Sequence, residues 1–327
     1  MKCTNKRFIT TLSCILLSFS LTACGATDIA MKYDYQYPVS SYKIVTIDDS
    51  EVATTFAAGL CVSSADYSDN TDVDMSHATA AGLFDLNNNE VIYAKNLYTR
   101  LNPASITKIM TALVALKYGE LDMHLTASIS INNLPEGAST CGLKVGDTLT
   151  LDQALNALLI CSANDAAIMI AEGIAGSIED FAVMMNDEAQ RIGATTANFL
   201  NPHGLTEDNH LMSVYDIYLI FNEVIKYDKF YEIISRETYS TVYLDKNNKD
   251  KEMIIKTTNH FLNGTYNAPD KITVIGGKTG TTNAAGQCLC VLAKDIYGNS
   301  YIGIILGASE RRLLYTQMTD MLNEIYN

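Results

Sequence analysis

In the stretch Asn102-Pro103-Ala104-Ser105-Ile106-Thr107-Lys108-Ile109-Met110 a serine and a lysine stand three residues apart at the start of an apolar helical pattern. Ile106, Ile109, Met110, Leu113 and Val114 recur at three- and four-residue spacing, Pro103 suits a first turn and Gly119 an end, which predicts a helix over about 104–118. Ser105 then lies near the positive end of the helix, and Lys108 projects from the same side one turn later. A hydroxyl held beside an amine is a nucleophile with its base; a helix start carrying a solvated lysine has the same spacing. Two further groups could join them. Ser162-Ala163-Asn164 falls in a tight link between two helical patterns, and Lys278-Thr279-Gly280 closes an apolar strand. Each of the three motifs is weak on its own.

The 327-residue chain is long enough for one large domain or two smaller ones with a sizeable core. Its formal charge of −14 argues against nucleic acid as a partner, since phosphate binding needs a basic face. Residues 1–23 read as a signal peptide: Lys2, Lys6 and Arg7 precede an apolar run from Phe8 to Leu21 that is short for a membrane span. The run ends Leu21-Thr22-Ala23-Cys24, which resembles a bacterial lipobox, so Cys24 is the expected lipidation site and the protein is expected outside the cytoplasm, anchored to the membrane by its N-terminal lipid. An ordinary cleavable signal or an uncleaved anchor would share the first part of this pattern. Removing residues 1–23 takes away three positive charges and no acids, leaving −17.

Cys61, Cys141, Cys161, Cys288 and Cys290 remain beyond the leader and cannot all pair within the chain. Cys288 and Cys290 alternate in an apparent strand and read as small core residues rather than a bridge. No cysteine–histidine spacing resembles a zinc site, and neither a metal nor a cofactor is expected.

The elements that must position the three motifs follow from periodicity. Residues 24–75, rich in Tyr, Asp, Ser and Thr, read as a tether or extension, with Phe56 to Val62 available as an edge strand. Ala78 to Asp85 and Glu90 to Ala94 form a hairpin, and Ser128 to Ile131 reads as a strand. Helices are expected from Leu151 to about Cys161, from Asp165 to Ile174, from Ile178 to Ile192 and from Ser213 to about Lys226. A period of two then takes over in Thr238 to Leu244, Glu252 to Thr257, Ile272 to Lys278, Gln287 to Ala293 and Tyr301 to Leu306, before a last helix from about Glu310 to Ile325. The expected fold is α/β of the α+β type: one antiparallel sheet built from both ends of the domain and flanked by helices, with a mostly helical insertion.

In this order and context the three motifs resemble the active-site set of β-lactamases and penicillin-binding proteins. The longer runs Pro103 to Leu113, Ser162 to Ala167, Asn201-Pro202-His203-Gly204-Leu205 and Gly277 to Gly286 are similar to the low-molecular-mass penicillin-binding proteins, the serine-type D-alanyl-D-alanine carboxypeptidases. The resemblance covers about Ala78 to Asn327 and implies the β-lactamase/DD-peptidase-like fold, with a catalytic domain over 76–327, an insertion over about 122–265 and no C-terminal β-domain.

The resemblance also implies roles. Ser105 would attack the penultimate D-Ala carbonyl of a peptidoglycan stem pentapeptide, Lys108 would take its proton, and Ser162 would relay a proton to the leaving amine. Asn164 would hold the peptide amide, Lys278 and Thr279 the terminal carboxylate, and the strand through Gly280 would offer the Thr281 amide, with that of Ser105, to the oxyanion. Arg311 or Arg312 would assist with the carboxylate, and β-lactams would acylate Ser105. Ala163 stands where relatives carry Gly or Asp, and His203 reads as a structural loop residue. Nothing resembles the Glu-x-x-x-Asn loop that positions deacylating water in class A β-lactamases, so penicillin hydrolysis should be slow. A β-lactamase-like hydrolase and a catalytically weak cell-wall-binding lipoprotein are the alternatives.

Overall fold

A computed structural model describes residues 59–64 and 73–326, all within the unit Phe56–Asn327. The leader, Cys24 and most of the 24–75 stretch lie outside the described residues. Strand β1 (Ala80–Asp85) turns through Asn87 and Asn88 into β2 (Glu90–Lys95). The Asp85 carboxylate sets that turn by accepting from the backbone N–H of Asn87 at 2.8 Å and of Asn88 at 3.2 Å. From the other end of the chain come β7 (Ile272–Thr282), β8 (Gly286–Asp295) and β9 (Ser300–Ala308). Together they form a five-stranded antiparallel sheet in the order β2-β1-β9-β8-β7, so the two ends of the domain are knitted by the β1–β9 pairing and β7 is left at the edge.

Alternation along β8 divides the core. Cys288, Cys290 and Leu292 face the helical side, whereas Leu289, Val291 and Ala293 face the last helix, α7 (Arg311–Asn323). Cys288 and Cys290 are fully buried free thiols on one face, as their spacing implied. Leu314, Met318, Met321 and Leu322 of α7 close the second face, each side chain worth about 1.5–3 kcal/mol when fully buried.

The helical side is built around α1 (Lys108–Tyr118), which is buried continuously from Lys108 to Ala115. Around it lie α2 (Leu151–Ile160), α3 (Asn164–Ala175), α4 (Ile178–Ile192) and α5 (Val214–Val224). Their starts follow the capping signals. Thr150 and Gln153 form a reciprocal capping box, as do Ser213 and Asp216, and Ser177 accepts from the Asp180 N–H.

Several expectations are corrected. The 104–118 helix opens with a 3-10 turn, Ala104–Thr107, before α1 proper. Ser128 to Ile131 is no strand: Ser128 caps a 3-10 helix at Ile129–Asn133, its hydroxyl accepting from the Ser130 N–H in competition with a sheet ladder. A short helix α6 (Asp228–Ile234) stands where no helix was expected. Strands β5 (Thr238–Leu244) and β6 (Asp250–Lys256) do not join the main sheet; with β3 (His124–Thr126) and β4 (Thr148–Thr150) they make a second, four-stranded one. A period of two marks a strand but names no partner. Residues 59–62 carry no strand either. They dock as irregular backbone, with the Cys61 N–H donating to the Tyr218 hydroxyl at 2.8 Å and the Tyr215 hydroxyl donating to the Cys61 carbonyl at 2.9 Å.

Candidate active site

The 3-10 turn that carries Ser105 is clamped from two sides. Ala104 sits at φ 48°, a conformation costly for a residue with a Cβ, and the turn is held by the Thr107 hydroxyl donating to the Ala104 carbonyl at 2.8 Å. His210 Nδ1 accepts from the Leu200 N–H, so its protonated Nε2 donates to Thr107 Oγ1 at 2.9 Å; burial lowers the imidazole pKa to about 4 and keeps it neutral for this task. On one side Gly204, at φ 81°, lies so close that a Cβ there would come 1.9 Å from the Ala104 carbonyl oxygen. On the other, a Cβ on Gly280 of β7 would meet Pro103 O at 3.0 Å and Ser105 N at 3.1 Å. Two glycines thus let a loop and a strand press on the serine's backbone.

Lys108 is fully buried at the first residue of α1. Its Nζ lies within hydrogen-bond distance of Ser105 Oγ (2.9 Å), Asn164 Oδ1 (2.6 Å) and the His203 carbonyl (2.7 Å). Burial first, and then the positive charge of Lys278, hold its pKa well below the ordinary lysine value. The partners decide what the amine does once it is uncharged. Two of the three are amide oxygens that can only accept, so they consume the two N–H bonds and leave the lone pair for the Ser105 O–H.

Ser162 is held at φ 61° between α2 and α3, where the turn aims its hydroxyl at Lys278; Lys278 Nζ donates to Ser162 Oγ at 2.8 Å and to the Thr279 carbonyl at 2.9 Å. Burial lowers the Lys278 pKa to about 7. Asn164 opens α3, and its N–H donates to the Ser139 carbonyl at 2.8 Å. The next residue, Asp165, fastens the overlying loop: its buried carboxylate accepts from the backbone N–H groups of Cys141, Gly142 and Leu143 at 3.0–3.1 Å.

Ser105, Ser162, Thr279, Gly280 and Thr281 line one cavity of about 240 Å³, and the amines of Lys108 and Lys278 reach its two serines from buried positions. All eight residues expected in the site, from Ser105 to Thr281, are therefore brought together. Arg311 lines the cavity and Arg312 does not. His203 is a loop residue whose Nδ1 accepts from the Leu205 N–H; burial and then Lys108 lower its pKa to about 3, which removes it from proton transfer at neutral pH. Sequence reasoning missed Ser139, Thr258, His260 and Gln287 in the lining, and Asp165 and His210 behind it. Because β7 is an edge strand, its outer backbone can pair with an extended peptide laid through the cavity.

A family model for D-alanyl-D-alanine carboxypeptidase matches residues 67–310. D-alanyl-D-alanine carboxypeptidase DacF of Bacillus subtilis is 36% identical over 255 residues, covering 76% of this chain and 62% of that protein. D-alanyl-D-alanine carboxypeptidase DacA of Haemophilus influenzae is 29% identical over 235 residues, covering 69% and 56%. The chain spans about three fifths of the length of these curated relatives. The solved structure of the Streptomyces K15 DD-transpeptidase superposes with a TM-score of 0.69 at 26% identity, covering 76% of this chain and 97% of that one, so the α/β arrangement described above is shared.

Proposed function

Since the chain belongs to the Peptidase S11 family of D-alanyl-D-alanine carboxypeptidases, we propose that it removes the terminal D-Ala from peptidoglycan stem pentapeptides through an acyl-enzyme on Ser105. The observation that carries this reading is the pairing of two serines with two buried lysines around one cavity, Lys108 with Ser105 at 2.9 Å and Lys278 with Ser162 at 2.8 Å.

The neutral Lys108 amine takes the Ser105 proton as Oγ adds to the carbonyl of the penultimate D-Ala. The oxyanion is received by the backbone N–H groups of Ser105 and Thr281, each such donor worth about 3 kcal/mol. As the tetrahedral intermediate collapses, the C–N bond breaks and the departing amine takes a proton from Ser162, whose hydroxyl is replenished with the proton that Lys108 took from Ser105, returning Lys108 to its uncharged form, while Lys278 holds the Ser162 hydroxyl in place. Asn164 holds the amide of the acyl part while Thr279, Lys278 and Arg311 hold the carboxylate of the leaving D-Ala. Water then adds to the ester and gives a proton to Lys108, the acyl C–Oγ bond breaks, and Lys108 returns that proton to Ser105 Oγ as the shortened peptide leaves.

A β-lactam offers a strained amide and a carboxylate of the same layout, so Ser105 is acylated by it as well. Among the described residues no Asp or Glu lines the cavity to activate water, which favours a long-lived penicilloyl ester over a β-lactamase-like cycle. Cys24 is proposed to carry the lipid that holds the enzyme on the outer side of the cell membrane; among the described residues no helix is long and apolar enough to cross it.

Incubation of the purified protein with a defined pentapeptide, with products identified by mass, tests the reading. The expected product is the tetrapeptide plus D-Ala, absent with Ser105→Ala. Undiminished release by that variant would overturn the assignment, and a product enlarged by an added amine acceptor would indicate transpeptidation, as in the name of the Streptomyces K15 relative.

A further inference from the structure

The carboxypeptidase reading, on which this inference rests, requires the cavity to grip a free carboxylate. Arg311 and His260 border the same cavity as Ser105, and among the described residues its lining contains no Asp or Glu to neutralise them. The His260 ring is held there by packing against two tyrosines. Its ring meets the Tyr315 ring at 5.3 Å and the Tyr266 ring at 6.1 Å, both edgewise, while the two tyrosines stack on each other at 4.6 Å. The His260 backbone N–H donates to the Tyr315 hydroxyl at 2.9 Å, which fixes the main chain, but the ring Nδ1 is buried with no hydrogen-bond partner. A buried ring nitrogen without a partner is a standing cost that a purely structural aromatic at this place would not carry. Two residues earlier Thr258 Oγ1 lies 2.6 Å from Thr279 Oγ1, so one short segment delivers Thr258 to the Lys-Thr-Gly threonine and His260 to the neighbourhood of Arg311.

We infer that His260 is a substrate-binding residue, whose imidazole N–H completes, with Arg311 and Thr279, the seat for the terminal carboxylate of the departing D-alanine. A half-turn of the ring about its Cβ–Cγ bond exchanges nitrogen and carbon positions within the same aromatic slot, so a donor can face the ligand without disturbing the tyrosines.

His260→Phe preserves the aromatic plate and removes the donor; His260→Gln restores a donor. With a free-acid pentapeptide ending in D-Ala-D-Ala, His260→Phe should raise KM about tenfold with kcat within about twofold, the size of one charge-assisted hydrogen bond, and His260→Gln should recover part of the loss. Dissociation constants measured in the Ser105→Ala background need no turnover. There His260→Phe should weaken the free acid about tenfold and leave the C-terminal amide of the same peptide unchanged. Equal binding of the free acid with and without His260, or an equal loss for acid and amide, would overturn the inference. Absence of D-Ala release by the wild-type protein would count against the carboxypeptidase reading, and the two binding constants would still decide the role of His260.

Discussion

At the scale of single residues the site is governed by where its two amines are buried. Lys108 is surrounded so that the uncharged amine has only its lone pair left for Ser105, and burial lowers the Lys278 pKa to about 7. This has a measurable stability signature. Between pH 7 and the unfolded lysine value of 10.5 the unfolded chain binds the proton that the folded chain has released, so the wild-type fold gains stability as pH rises through that window. Lys278→Met removes this linkage. The Tm of the wild-type protein should therefore rise relative to Lys278→Met between pH 7 and pH 10 and run parallel to it below pH 7. A difference independent of pH across the window would show that Lys278 has an ordinary pKa.

At the scale of elements, catalytic geometry depends on how closely a loop and an edge strand approach the 3-10 turn. Gly204 and Gly176 both have positive φ, at 81° and 85°, but a Cβ on Gly176 would meet nothing within 4 Å, whereas one on Gly204 would collide with the Ala104 carbonyl. Gly176→Ala should thus cost only the conformational term, about 1 kcal/mol in denaturant unfolding, with penicillin acylation unchanged. Gly204→Ala should cost more and slow acylation at least about tenfold, since the turn carrying Ser105 has to move. Equal losses for the two variants would mean that the loop does not hold the turn.

At the scale of the whole molecule, an ionic clamp centred on one buried carboxylate ties α1, α4 and α5 together. The Glu188 side chain is 1% exposed; it meets Lys117 at 2.6 Å and Arg191 at 2.5 Å, and Arg191 reaches on to Glu223 at 3.2 Å. Burial opposes the charge on Glu188, but Arg191 and Lys117 outweigh it and hold the carboxyl below its ordinary 4.5. The clamp contributes stability above pH 4.5 that is lost as pH falls through the lowered folded value. Glu188→Ala leaves Lys117 and Arg191 to solvent, which both already reach, and should cost about 1–3 kcal/mol at pH 7 through the lost charge-assisted hydrogen bonds, with a smaller penalty at pH 3; chemical denaturation at the two pH values checks both. The same scale explains why the N-terminal hairpin cannot be separated from the strand that carries Lys278: β1 is hydrogen-bonded to β9, and β9 leads through β8 to β7.

Much of this was written locally. Capping boxes at Thr150 and Ser213, the glycines after α3 and α4, the alternation that put Cys288 and Cys290 on one face, and the Ser105–Lys108 spacing are contacts within a turn or a strand, and such contacts are legible wherever residue types match the local period. The three motifs were legible too, as short runs in the right order. What only the tertiary structure decided was assembly over long separations. The second sheet, the docking of Cys61 on Tyr218, the clamp on Ala104 by Gly204 and Gly280, and the arrival of His260 beside Arg311 each join residues whose approach depends on how whole elements pack. The chemistry of Lys108 belongs to this second class. Its spacing from Ser105 is a property of a helix turn, but its lowered pKa comes from burial and from the positive charge of Lys278, which the fold alone brings to it.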